Sequence, residues 1–150
     1  MPKKKPYNAD TAYAYYLRGG TNPKYEAFMV DVPRMSYPYA KKVLKGRWLE
    51  AETAILRSPE YSCGYARDVI GGRWDDAELL IQTHPKWARV YAQTVIKGPW
   101  KEAETFIMQD IKEARLYRKY ALKKGGWGFY LKALALHWGF SLLNFVERRA

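Results

Sequence analysis

Between Trp87 and Ile96 the apolar positions recur at helical spacing, with Ala88, Tyr91, Ala92, Val95 and Ile96 on one face. That pattern predicts a short amphipathic helix. Gly98 follows it, and a glycine just past a helix is expected to take the left-handed conformation at the C′ position. A second helix is predicted from near Trp100. Glu102 and Glu104 fall in its first turn, where carboxylates favour the positive end of the helix, and Ala103, Phe106 and Ile107 supply its buried face. Upstream, the Ser58-Pro59 and His84-Pro85 steps are expected to stop the equivalent second helices, because a residue before proline avoids the helical region.

This helix-turn-helix pattern repeats. Ala40, Ala66 and Ala92 are 26 residues apart, and so are Gly46, Gly72 and Gly98, Trp48, Trp74 and Trp100, Ala51, Ala77 and Ala103, Glu52, Glu78 and Glu104, and Ile55, Ile81 and Ile107. One period upstream lie Ala14, Gly20, Glu26 and Pro33, with Asn22 in the tryptophan position. Downstream, Ala114 and Tyr117 keep the register, and Gly125 and Trp127 follow one residue late. Helices this short are marginal alone, so stacked neighbours must supply the core. The expected fold is all-α, an α-solenoid of about five short helical hairpins with degenerate terminal units. Residues 1–7 read as a basic flexible tail. Residues 8–150 read as one helical-repeat domain, with units near 8–33, 36–59, 62–85, 88–110 and 112–148.

The repeat condenses to Tyr-Ala-x-x-Val-Ile-x-Gly-Arg-Trp-x-x-Ala-Glu-x-x-Ile, with residues 65–78 its clearest copy. Over roughly residues 36–110 it resembles tandem helical repeats of uncharacterised proteins of tailed phages and large DNA viruses. That resemblance implies a viral setting, with the host cytoplasm as its location, and it brings no active site. In the third unit Pro99 stands where the pattern has arginine, so a role for that arginine is not common to all units.

Charge then narrows the class of partner. The chain of 150 residues carries a net charge of +11, and residues 1–75 and 76–150 each hold thirteen lysines or arginines, so there is no separate basic domain. A basic balance favours an acidic macromolecule, protein or nucleic acid. Cys63 is the single cysteine, which excludes an internal disulfide and suits a reducing, intracellular setting. The stretch from Met1 to Pro6 lacks the apolar run of a signal peptide.

Two groups of cations are candidate binding residues. Arg47 and Arg73 lie beside the starts of second helices, where exposed helix ends and cations can hold phosphates. Seven acids share that region, namely Glu50, Glu52, Asp75, Asp76, Glu78, Glu102 and Glu104, and they would neutralise much of it. The alternative role for this turn is structural, with the tryptophan in the core and the glutamate as cap or inter-unit partner. The sharper candidate is 111–124. Lys112, Arg115, Lys119 and Lys123 fall on one helix face, Arg118 and Lys124 widen it, and Ala114, Tyr117 and Ala121 form a second face for packing. The nearly apolar segment 127–147, with a narrow stripe of His137, Ser141, Asn144 and Arg148, reads as a buried capping helix or a homo-oligomer contact. Lys132 within it and its short length argue against a membrane span.

No metal-ligand spacing, phosphate-binding loop or catalytic constellation is present, and no cofactor is expected. Carboxylates that recur in every unit suit structure better than a unique catalytic site. The function expected is therefore non-enzymatic, a module that docks an acidic macromolecule and so blocks a host or defence complex. The alternative is a structural virion or scaffold protein that oligomerises through its C-terminal apolar helix.

Overall fold

The computed structural model describes residues 8–20, 23–122 and 126–138, and every regular element among them is helical. The chain divides into two compact units, residues 1–77 and 78–150. In the first, α1 (Ala9–Leu17) and a short 3-10 helix (Pro23–Phe28) precede α2 (Pro33–Tyr39), which runs on into the π-helical turn π1 (Ala40–Leu44). Then come α3 (Leu49–Ile55), α4 (Pro59–Tyr65) with its continuation π2 (Ala66–Ile70), and the start of α5 (Asp75–Gln82), within which the division falls. The second unit contains α6 (Pro85–Tyr91) with π3 (Ala92–Ile96), α7 (Lys101–Ile107), α8 (Ile111–Tyr120) and α9 (Trp127–Trp138). First helices α2, α4, α6 and α8 begin at residues 33, 59, 85 and 111, and second helices α3, α5, α7 and α9 begin at 49, 75, 101 and 127. The 26-residue period of the sequence is thus the period of an all-α helical-repeat fold.

Two local expectations are corrected. Pro33, Pro59 and Pro85 open the next first helix at its N-terminal position, where the missing N–H is not needed and the fixed φ suits the helix. They do not serve as stops of the second helices; α3 has already ended at its C-cap Leu56. The left-handed position lies one residue before the recurrent glycine, at Lys45 (φ 53°), Gly71 (φ 75°) and Lys97 (φ 61°). There the wide π turn closes on a buried alanine carbonyl. Ala66 O accepts Gly71 N–H at 2.9 Å and Gly72 N–H at 3.2 Å, and Ala92 O accepts Gly98 N–H at 3.2 Å. A Cβ at Gly72 or Gly98 would meet nothing within 4 Å, so close packing does not explain the glycine at that place. Gly64 is different, because a Cβ there would lie 3.0 Å from the ring of Tyr37 where α2 packs on α4.

The core is built on a tyrosine that ties three pieces of chain together. In the first unit the buried Tyr65 hydroxyl accepts the Trp48 backbone N–H at 2.7 Å and donates to Glu52 at 3.0 Å. In the second unit Tyr117 does the same, accepting Trp100 N–H at 2.6 Å and donating to Glu104 at 3.1 Å. Tyr39 donates to Glu26 at 2.6 Å and Tyr91 to Glu78 at 3.0 Å. The same rings stack on the next tryptophan in sequence, Tyr39 on Trp48, Tyr65 on Trp74 and Tyr91 on Trp100, with centroids 4.9, 5.1 and 5.0 Å apart. All three tryptophans are buried, at most 6% exposed, as the structural role of the turn requires.

The terminal repeats depart from the pattern in defined ways. In α1 the residues turned inward are Ala12 and Tyr16, whereas Ala14, which holds the sequence register, is exposed. At the other end Trp127 does not take the tryptophan position. It is 61% exposed, and Phe129 stacks on Tyr117 instead, at 5.1 Å. Of α9, only Ala133 is buried, while Leu131, Leu136 and Trp138 are exposed. The described part of the C-terminal segment is therefore not a buried capping helix. Ser141, Asn144 and Arg148 of its polar stripe, and the tail 1–7, lie outside the described residues.

Replacing Tyr65 with Phe strands the Trp48 N–H and the Glu52 carboxylate, and should cost roughly 1–3 kcal/mol. Trp100→Ala leaves a cavity and should cost about 3–5 kcal/mol. Urea midpoints of the two variants measure both; a Tyr65→Phe protein as stable as the parent would show that the hydroxyl carries no structural load. Gly71→Lys should destabilise by about 1 kcal/mol, from backbone strain alone, since its Cβ would meet no neighbour within 4 Å. The same titration checks it, and an unchanged midpoint would mean that lysine adopts this turn, the one held by Lys45 and Lys97 in the neighbouring repeats, without strain.

Candidate docking face

Helix α8 starts cleanly because Asp110 caps it. The Asp110 carboxylate accepts Lys112 N–H at 2.8 Å and Glu113 N–H at 3.2 Å. Ala114 and Tyr117 turn inward, and Ala121 beyond the last turn joins them. The opposite side presents Lys112, Arg115 and Lys119, all exposed. The only acid of the helix, Glu113, does not neutralise this row. Its carboxylate accepts Arg89 Nε from α6 at 2.9 Å in a largely buried pair, and Arg89 Nη1 is held in turn by Gln93 at 3.0 Å.

Arg118 leaves the predicted row. Its guanidinium lies over the Trp127 ring, 4.0 Å from the centroid, and 5.5 Å from that of Tyr130. It braces α9 against α8, so it does not reach outward as a ligand for an anion. Lys119 stays at the surface with Nζ 4.9 Å from the centroid of Tyr120. Lys123 and Lys124 lie outside the described residues.

The other predicted cations belong to the first unit. Arg47 grips the Glu52 carboxylate with two bonds, Nε at 2.8 Å and Nη2 at 2.7 Å, and Glu52 is the acceptor of the Tyr65 hydroxyl. Arg47 thus closes the structural tie from outside, where an incoming phosphate would have to compete with an internal carboxylate. Arg73 is exposed at the equivalent corner.

Sequence reasoning missed the ties between successive first helices. Asp68 of π2 receives the Tyr37 hydroxyl, the Lys41 ammonium at 2.7 Å, and two bonds from Arg67 at 2.7 and 2.8 Å. Tyr37 and Lys41 come from α2 and π1, so the ties clamp one first helix to the next. The guanidinium beside it, chiefly, holds the Asp68 carboxyl well below the usual carboxylate range, with Lys41 and Tyr37 adding to the effect against the opposing cost of burial. No regular spacing marks this site, because the residue types change from repeat to repeat.

Other chemistry is confined. Cys63 is buried in α4 and His84 is exposed, its Nδ1 3.0 Å from the Leu80 carbonyl oxygen. Among the described residues no group of three metal-binding side chains occurs, and no helix is long and apolar enough to cross a membrane. Compared with known proteins, the chain matches no family model, no curated protein and no solved structure.

A depressed carboxyl contributes stability that is present above its unfolded value, about 3.9, and is lost as pH falls below it. Asp68→Asn should therefore destabilise the protein at neutral pH by roughly 1–2 kcal/mol, allowing for solvent around Lys41 and Arg67, and the gap from the parent should close below about pH 4. Denaturant midpoints of parent and variant across that range test it; a gap independent of pH would assign the effect to packing.

Proposed function

We propose that the protein is a non-enzymatic binding module that docks an acidic macromolecule through the exposed row Lys112, Arg115 and Lys119 of α8. One observation carries this reading: the row is cationic throughout, and the single acid of its helix is already tied to Arg89. Host proteins, ribonucleoproteins and nucleic acid all have the required charge. In the setting that its repeat pattern resembles, that of phages and large DNA viruses, such docking would block a host or defence complex. The exposed Leu131, Leu136 and Trp138 of α9 favour a second reading, a scaffold protein that joins to a second copy through this helix. The two modes separate by salt, since ion contacts weaken steeply as salt rises and an apolar contact persists.

Changing Arg115 and Lys119 together to glutamate should move stability by less than about 0.5 kcal/mol each, as at other exposed positions, and abolish binding to acidic probes such as heparin and poly-glutamate. Thermal melts and fluorescence anisotropy read the two effects. If the double variant binds both probes like the parent, α8 carries only a solubilising face.

A further inference from the structure

The repeat itself indicates what fits on the exposed side of α8. In the second unit α6 offers Arg89 to the first helix that follows it, where Glu113 of α8 supplies the carboxylate 2.9 Å from Arg89 Nε, and Gln93, one turn on, steadies the guanidinium from within its own helix. In the first unit the same two register positions are Tyr37 and Lys41, and both donate to Asp68 of the next first helix. Twice, then, the first of these positions donates to an acid of the succeeding first helix, and in the first unit the second position, Lys41, does so as well.

In α8 the two positions are Arg115 and Lys119, each 26 residues after Arg89 and Gln93. Both are cationic, both are exposed, and Lys112 extends the row by one turn. No further first helix follows α8 among the described residues to supply a carboxylate. We infer that this side of α8 docks an acidic α-helix of a partner protein, seated as a following first helix would be. The inference rests on the reading of α8 as a binding face and specifies its occupant.

The internal pairs also specify the pattern of acids. Carried forward by two periods, Asp68 falls at the register of residue 120, seven residues after Glu113. Residues seven apart on a helix share a face about two turns, or roughly 10 Å, apart. The partner helix should therefore carry acids at i and i+7 on the side that meets α8, the first facing Arg115 and the second lying where Lys119 can reach it. A single row of three cations along one helix matches such a stripe, and Arg118, held on Trp127 and Tyr130, adds no further outward charge.

The test uses the full chain and three labelled probes. Two are helix-stapled peptides of identical composition, one with glutamates at i, i+3 and i+7 along one face, the other with the same glutamates spread around the helix. The third is a single-stranded oligonucleotide. The striped peptide should bind at least about tenfold more tightly than its isomer, a factor in the range by which charge placement at interfaces alters affinity. Arg115→Glu should weaken it by about tenfold or more, and a peptide with lysine in place of the facing glutamate should restore binding to that variant. Equal affinity for the two peptides would overturn the helical occupant while leaving the acidic-partner reading intact. Binding of the oligonucleotide with neither peptide would also overturn it, and would assign the face to nucleic acid. If none of the three probes binds, the docking face and its occupant fall together.

Discussion

A tyrosine hydroxyl inside an apolar core needs hydrogen-bond partners, and at Tyr65 and Tyr117 the repeat places both a donor and an acceptor where only a folded hairpin can supply them. The Trp48 N–H is one of the orphan donors at the start of α3, with no intrahelical acceptor. Tyr65 accepts it from the next first helix and passes its own proton to Glu52, within the first turn of α3. Removed from water, either partner alone would be destabilising. Paired, they fix the corner, the second helix and the following first helix at once. Burial raises the Tyr65 hydroxyl pKa to about 12, with Glu52 adding to the rise and the Trp48 N–H opposing it, so the hydroxyl stays protonated as a donor. The same arrangement at Trp100, Tyr117 and Glu104 shows that it is the unit of construction in both halves of the chain.

The glutamate of this tie is committed to internal donors, and an external anion at the cation that covers it would have to compete with that carboxylate. Arg47 is drawn back onto Glu52. The corner that on paper combines helix ends, cations and a conserved spacing within the chain is consequently a structural joint. Helix α8, by contrast, carries Lys112, Arg115 and Lys119 at the surface, and its one acid is held by Arg89.

Side contacts between successive first helices obey a looser rule. The positions are kept, but the chemistry changes, from Tyr37 and Lys41 on Asp68 to Arg89 on Glu113. A partly buried cation on a carboxylate satisfies the geometry there as a tyrosine hydroxyl does, so more than one residue type closes the contact. This freedom is what allows α8 to present two cations at positions that are matched by an acid elsewhere in the fold.

Much of the architecture was legible in the sequence because a 26-residue period forces equivalent residues into equivalent environments. The helical class, the burial of Trp48, Trp74 and Trp100, and the inward face of Ala114 and Tyr117 all follow from that periodicity. The row Lys112, Arg115 and Lys119 was also legible, since helical spacing alone places these residues together. What tertiary structure decided is which periodic residues meet. Tyr65 and Glu52 are 13 residues apart, half a repeat, and no local rule pairs them. Arg118 was counted with the outward cations, yet it turns onto Trp127, because an aromatic ring across the turn competes with solvent for the guanidinium. Phe129, not Trp127, fills the place against Tyr117, a contact that the 26-residue spacing does not announce. Local spacing determines the face of a helix to which a side chain belongs; its partner depends on the helix packed against that face, and this only the folded chain decides.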